Sequence, residues 1–259
     1  MERRTSKEQF DRQASHYDGQ WNRWTEETLA WILDKGQFRE SDRVLDAATG
    51  AGFTAAALAP LVKSVAALDV STGMLAEARA RAAEAGYDNI SFHEGPAEAM
   101  PFGDGVFEAV TCRMACHHFE SPASFLAECK RVLVPGGRLL IADSTVPDDD
   151  SELDEWQNRV ELLRDPSHKR NYSPGEWRRM LSEAGFTIEE LDSTASVIPL
   201  TLEPWLRKGG CVGEREQMVR EMFSTASPAV RETFGVRPTD DAADTAFHWV
   251  RVVMAARKV

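Results

Sequence analysis

The chain has 259 residues, 42% hydrophobic and 28% charged, the make-up of a globular protein of one large or two small domains with a sizeable core. Its 30 basic and 42 acidic residues give a net charge of −12, which argues against generic nucleic-acid binding, a task for clustered Lys and Arg, and against attraction to an anionic membrane surface. No stretch reaches the roughly 20 apolar residues of a membrane span, MERRTSKEQFDRQ carries no apolar signal segment, and Cys112, Cys116, Cys129 and Cys211 form no C-x-x-C pair; a cytoplasmic protein without stable membrane association is expected.

Residues 5–35 read as helical and carry Phe10, Tyr17, Trp21, Trp24 and Trp31. RVLDAA (43–48) reads as a short buried strand, and FTAAALAPLV (53–62) as a helix that must end near Pro60. SVAALDV (64–70) is a second strand; STGMLAEARARAAEAG (71–86) is a helix with a Ser/Thr start and a Gly stop. NISFHEG (89–95) and VFEAVTCRM (106–114) continue as strands, PASFLAECKRVLVPGG (122–137) as a helix and glycine turn, and RLLIADS (138–144) as a fifth strand. Short apolar strands alternating with helices predict an α/β fold built on a doubly wound, mostly parallel sheet.

After Ser144 the alternation breaks. Residues 145–171 read as a helix and a loop, 173–186 as a helix, 187–197 as a strand, 200–233 as irregular helices and 246–258 as a terminal strand. The acidic run Asp148–Asp150 reads as a solvated helix start. None of the seven tryptophans falls between residues 40 and 145, which fits large apolar side chains in a cover over the core, either packing it or lining a substrate site. The organisation expected is a single domain, 1–259, with an N-terminal helical cover (1–40), a cofactor-binding core (41–144), interleaved cover segments and strand six (145–240) and a final strand (246–258).

LDAATGAGFT, Leu45 to Thr54, holds the first strand-to-helix turn. Gly50, Gly52 and Ala55 match the G-x-G-x-x-G/A spacing of dinucleotide enzymes, which leaves an NAD-dependent oxidoreductase open. Glycines there let a ligand approach the backbone, and the following helix offers unpaired N–H groups. Asp46 points to another ligand: a pyrophosphate would be repelled by it, a sulfonium or ammonium attracted. Asp69 ends the second strand, where a carboxylate can take both hydroxyls of a ribose. EGPAEAMPFGDGVFEAV places Ala97 and Met100 where an adenine could lie. An adenosine with a cationic amino-acid tail satisfies all three positions, and that is S-adenosylmethionine.

VLDAATGAG, ALDVSTGMLAEAR, GPAEAMPFGDGVFEAVTCRMACHHF and ECKRVLVPGGRLLIAD together resemble the successive motifs of class I S-adenosylmethionine-dependent methyltransferases, nearest the ubiquinone/menaquinone C-methyltransferase-like (methyltransferase type 11) group. FDRQASHYD and LDEWQNRVELLRDPSH extend the resemblance toward a YcgJ-like bacterial branch. It implies a Rossmann-like seven-stranded sheet with the last strand antiparallel and a helical cover over the active site. It also implies that Asp46, Thr49, Gly50 and Gly52 form the methionine-end loop, that Asp69 binds the ribose, that Val70 and Met74 flank the adenine with Pro96, Ala97 and Glu98 on its other side, and that Arg113 lies near the methionine carboxylate or the methyl group. Thr49 stands where many members have Cys. Pro96 stands where many have Asp for the adenine amino group, so that contact passes to Glu98 or to backbone.

Methyl transfer needs an acceptor placed in line behind an already electrophilic methyl group, with water excluded; a nearby general base adds to the rate. The candidates for that base are His16, Tyr17, His117, His118 and His168, with His117, His168 and Tyr17 put forward as catalytic and His118 as a residue that holds its loop. RDPSHKR (164–170) reads as a solvated basic loop, or as a site for an acceptor carboxylate or phosphate. Asp143 ends strand five without two further oxygen ligands in view, so no metal is expected. The function expected is methyl transfer to a small-molecule acceptor, apolar or aromatic, with S-adenosylmethionine as cofactor. The alternatives are an S-adenosylmethionine- or S-adenosylhomocysteine-binding protein that transfers nothing, and the oxidoreductase. The composition assigns no oligomeric state.

Overall fold

The computed structural model describes residues 3–14, 25–195, 200–240 and 242–259. Arg43–Ala47 (β1) pairs in parallel with Ser64–Asp69 (β2) on one side and Phe107–Arg113 (β4) on the other. Ile90–Glu94 (β3) extends the sheet beyond β2, and Leu133–Thr145 (β5) beyond β4. Val250–Lys258 (β10) then inserts antiparallel between β5 and Phe186–Ala195 (β6), giving seven strands in the order β3-β2-β1-β4-β5-β10-β6. This is the doubly wound, Rossmann-like sheet with its last strand reversed that the sequence predicts. Strand order reverses at β1, and a crevice opens there at the carboxyl ends of the strands, where α/β sheets bind ligands.

Several of the helices begin where side chains satisfy their free N–H groups. Thr5 and Glu8 form a capping box on Ser6–Gln13 (α1), Ser71 accepts from the Met74 N–H at the start of Thr72–Ala85 (α4), and Ser121 opens Pro122–Val132 (α5). Asp150 caps Ser151–Arg164 (α6), and Ser173 with Glu176 boxes Pro174–Glu183 (α7). Asp148–Asp150 is thus a helix start, with Asp148 accepting from the Gly175 N–H at 2.8 Å. Glu26–Lys35 (α2) lies against β5 and β10, and Phe53–Leu58 (α3) follows the glycine turn.

One face of the sheet buries Leu45, Val110, Ile141 and Val252 under Phe125, Leu126, Trp177 and Leu181 of α5 and α7. The other face buries Val44, Val65 and Ala67 with Leu58, and Leu140 and Val253 with Ile32. The cover has its own core. Leu202–Lys208 (α8), Glu214–Ser224 (α9) and Pro228–Thr233 (α10) join α6 around Trp205, Phe223, Phe247 and Trp249.

Two strand boundaries differ from expectation. The single strand expected over 246–258 is two: Thr245–Phe247 (β9) pairs with Leu200–Thr201 (β7) and Arg237–Pro238 (β8) in a small sheet of the cover, and only Val250–Lys258 enters the main sheet. The alternating pattern runs through both because both bury one face; the chain changes sheets at His248–Trp249. Strand β5 begins at Leu133, before the glycine turn. Gly136, at φ +73°, lets the chain bulge within the strand, and its register against β4 slips between Phe107 and Ala109.

Candidate active site

A cavity of about 370 Å³ lies over the carboxyl ends of β1, β2, β4 and β5, closed above by α1 and by the cover. Its floor is the β1–α3 turn. There Ala48, Gly50 and Gly52 all take left-handed backbone, at φ +54°, +54° and +78°. Met114, just past β4, does the same at φ +55° and also lines the cavity. Left-handed backbone at non-glycine residues is strain of the kind that gathers at functional sites.

The two glycines do different work. A Cβ on Gly50 would meet nothing within 4 Å and would project into open space, so its hydrogen leaves room for a ligand against the backbone. A Cβ on Gly52 would lie 2.7 Å from the Ala78 Cβ and 3.0 Å from its Cα. Gly52 does not line the cavity; its bareness lets the turn pack on α4. Sequence spacing treats the two alike.

Asp46 is 1% exposed and accepts from Thr49 Oγ1 at 2.6 Å and Thr111 Oγ1 at 2.8 Å. Burial pushes its carboxyl up, against those two hydrogen bonds and the charge of Arg113. Asp69 accepts from the Gly50 N–H at 2.8 Å and the Ser71 N–H at 2.9 Å, so it ties the turn to the start of α4. Burial pushes it up to about 6, with the two N–H bonds opposing. Both carboxyl groups border the cavity and gain from donors or positive charge that a ligand brings.

Thr49, Val70, Met74, Pro96, Ala97, Glu98 and Arg113 also border the cavity. One oxygen of Glu98 is engaged by the Ser121 N–H at 2.5 Å, a bond that holds the β3–β4 turn to the start of α5. Arg113 donates to Thr54 Oγ1 at 2.9 Å and Thr25 Oγ1 at 2.8 Å, linking β4 to the starts of α3 and α2. The N-terminal helix closes this end: Asp11 accepts from Ser71 Oγ at 2.6 Å and the Gly73 N–H at 3.2 Å, while Lys7 reaches the Val70 carbonyl and Glu94, each at 3.1 Å.

His117 stands on the short turn Cys116–His118 after β4. Its Nδ1 is 2.6 Å from Asp143 Oδ1, and its backbone N–H donates to Asp143 Oδ2 at 3.0 Å. Asp143 therefore fixes both the turn and the ring, with Nδ1–H the donor and Nε2 the nitrogen left for chemistry. Burial lowers the imidazole pKa, but the Asp143 charge and hydrogen bond outweigh it and hold the ring above its ordinary value. His118 braces the turn through Ser167 Oγ, 3.1 Å from its Nδ1, and meets Phe10 edge-on at 4.9 Å; burial and the neighbouring His117 pull it down to about 4. His168, put forward as catalytic, is 1% exposed, has its Nε2 3.0 Å from Asn158 Oδ1 and does not border the cavity; its ring centroid lies 5.7 Å from that of His117. Tyr17 and His16 fall outside the described residues.

The far end of the cavity is bordered by Ser144, Glu161, Arg164, Asp165, Trp205, Trp249 and Arg251. The expected solvated loop at 164–170 is corrected here: Arg164, Asp165, Ser167 and His168 are all buried, because the segment threads between the His117 turn and the cover, where His117 O accepts from the Lys169 N–H at 2.9 Å. Arg170 is spent on Asp154 and Glu176. Of the described tryptophans, Trp205 and Trp249 border the cavity, while Trp177 is in the core and Trp156 stacks on Phe234. Among the described residues no His, Cys, Asp or Glu cluster is arranged to hold a metal ion.

The profile of a family described as a methyltransferase domain matches residues 45–141. The uncharacterized methyltransferase YcgJ of Bacillus subtilis is 36% identical over 208 residues, covering 80% of this chain and 81% of its own length. The chain belongs to the class I S-adenosylmethionine-dependent methyltransferases. The crystal structure of the Bacillus subtilis YcgJ protein superposes with a TM-score of 0.84 at 32% identity, over 90% of this methyltransferase and 98% of that chain. A demethylmenaquinone methyltransferase of Symbiobacterium thermophilum is 37% identical over 154 residues, 54% of this methyltransferase and 59% of the relative.

In this methyltransferase the residues expected from the first three strand ends, Gly52 excepted, border the same cavity, and His117 borders it too. Asp143 as the partner of His117, and Glu161 and Arg251 as part of the far wall, were missed; Arg164 reads from sequence only as part of a basic segment, solvated or acceptor-binding. A buried ionisable residue on an apolar strand is their one trace in sequence: Asp143 in LLIADS and Arg251 in WVRVVM.

Proposed function

We propose that this enzyme transfers the methyl group of S-adenosylmethionine to a small molecule with an aromatic or apolar body. The observation that carries the reading is the pairing of Gly50, open to the cavity, with Asp69, whose buried carboxyl stands beside it within reach of a ribose. The residues present fit the cofactor: Asp69 for the ribose hydroxyls, Val70, Met74 and Ala97 for the adenine, and Asp46, Thr49 and Arg113 near the charged tail. The S-adenosylmethionine sulfonium supplies an electrophilic methyl group.

The chain's own residues do the rest. Trp205, Trp249 and Phe10 offer apolar walls for the acceptor. Helix α1, held down by Asp11, keeps bulk water from the methyl group. His117 Nε2 takes the proton that the acceptor loses as it forms its bond to the methyl carbon, and Asp143 stabilises the resulting imidazolium. General-base catalysis of this kind contributes about 10²–10⁴-fold.

Calorimetric titration with S-adenosylhomocysteine and, separately, with NADH tests the reading. Binding of the first alone, lost in Asp69→Ala, supports it. Binding of NADH, or of neither, overturns it.

A further inference from the structure

Arg251 is 2% exposed and borders the far end of the cavity. It sits on β10 directly across from Ser144 at the end of β5, so both side chains leave the sheet on the same face. Its Nε and Nη1 are buried and meet no hydrogen-bond acceptor among the described residues. Glu27, Glu161 and Asp143 are near enough for their charge to act on it, yet among the described residues none forms an ion pair with it. A guanidinium stays protonated even when burial pulls its pKa down, as burial does here. A buried charge without a partner is costly, and a site that keeps one is built to receive a counter-ion.

We propose that the methyl acceptor is a small aromatic carboxylic acid whose carboxylate is held by the guanidinium of Arg251. The proposal rests on the methyl-transfer reading and deepens it. A guanidinium pairs with a carboxylate through charge-assisted N–H donors and stays charged when buried. The walls beside it are the indoles of Trp205 and Trp249, which suit a flat apolar body. The charge at this end selects one negative group over several. Arg164, which lies over Trp205 at 5.0 Å, adds a second positive charge, but Glu161 and Asp165 border the same space and would repel a phosphate or diphosphate. With its acid end at Arg251, the acceptor lies between that residue and His117.

The experiment uses the full chain and two probes, phenylacetate and indole-3-acetate, each compared with its primary amide by calorimetry, both with saturating S-adenosylhomocysteine and without it. The acids are expected to bind at least tenfold tighter than the amides. Arg251→Gln is expected to erase that preference with S-adenosylhomocysteine affinity unchanged. Should Arg251→Gln fail to fold, Arg251→Lys serves: its ammonium sits on a differently shaped side chain that does not place a donor where the guanidinium does, and it is expected to weaken the acids at least fivefold and leave the amides alone. Equal binding of acid and amide in the wild type, absent binding of both included, overturns the proposal, as does a preference that survives in the variants. Loss of S-adenosylhomocysteine binding by the wild type would instead strike the methyl-transfer reading, and the acid–amide comparison made without it still decides the role of Arg251.

Discussion

His117 Nδ1 lies 2.6 Å from an oxygen of Asp143, and the other oxygen of the same carboxylate holds the His117 backbone N–H at 3.0 Å. One buried carboxylate at the end of β5 thus sets position, tautomer and basicity of the imidazole beside the cavity. A base must be unprotonated to act, and Asp143 holds His117 above the ordinary 6.5. Activity is therefore expected to rise with pH through a value above 6.5. In Asp143→Asn that rise should move to lower pH while the rate at its plateau falls. His117→Asn is expected to lower kcat about 100-fold and remove the rise altogether. A pH–rate profile of S-adenosylhomocysteine release checks all three; a rise unchanged in His117→Asn would remove the residue from the chemistry.

If Asp69 holds the ribose as proposed, cofactor binding should depend on pH. Its carboxyl titrates at about 6 in the fold against 3.8 as the ordinary value. A raised carboxyl stabilises the ligand-free protein relative to the unfolded chain below 3.8, and that contribution is lost as pH climbs to about 6. Above 6 the ionised group is ready for two ribose hydroxyls. S-adenosylhomocysteine should accordingly bind more weakly as pH falls through 6, and its stabilising effect on Tm should grow across the same window. Asp69→Ala is expected to flatten both trends in calorimetry at pH 5, 6, 7 and 8.

The two glycines of the turn should separate by substitution. Gly52→Ala places a methyl group 2.7 Å from the Ala78 Cβ on left-handed backbone; strain and overpacking together are expected to cost about 2–4 kcal/mol. Gly50→Ala carries only the backbone strain, about 1–2 kcal/mol, because nothing lies within 4 Å of its Cβ. Its larger effect is expected on S-adenosylhomocysteine affinity. Urea unfolding paired with ligand titration distinguishes the two, and equal loss of affinity in both variants at full folding would contradict the assignment.

Asp11 is the latch of the N-terminal helix. It joins α1 to the start of α4 through Ser71 and Gly73, and the Ser71 hydrogen bond, partly offset by burial, holds its carboxyl below the ordinary value. Asp11→Ala is expected to speed tryptic cleavage after Lys7 or Arg12 several-fold and to weaken S-adenosylhomocysteine binding, with little change in the stability of the core. Protection against trypsin by the ligand should persist in the wild type and shrink in the variant.

Local chemistry made much of this protein legible before folding. Alternating apolar strands and capped helices prescribe the layers, since each element must bury one face and satisfy its first N–H groups, and Ser71, Ser121 and Ser173 announce their helices directly. The end of the cavity proposed for the cofactor is legible for the same reason: the residues around Gly50 and Asp69 lie at the ends of successive strands. The far wall is not. Ser144, Glu161 and Arg251 come from β5, α6 and β10, up to 107 residues apart, and meet only because β10 turns back between β5 and β6. Nor does spacing tell that Gly50 faces a cavity while Gly52 faces Ala78, or that the 246–258 pattern serves two sheets. Periodicity records that a face is buried; what it is buried against, and whether a charge there has a partner, is decided by packing between segments distant in sequence.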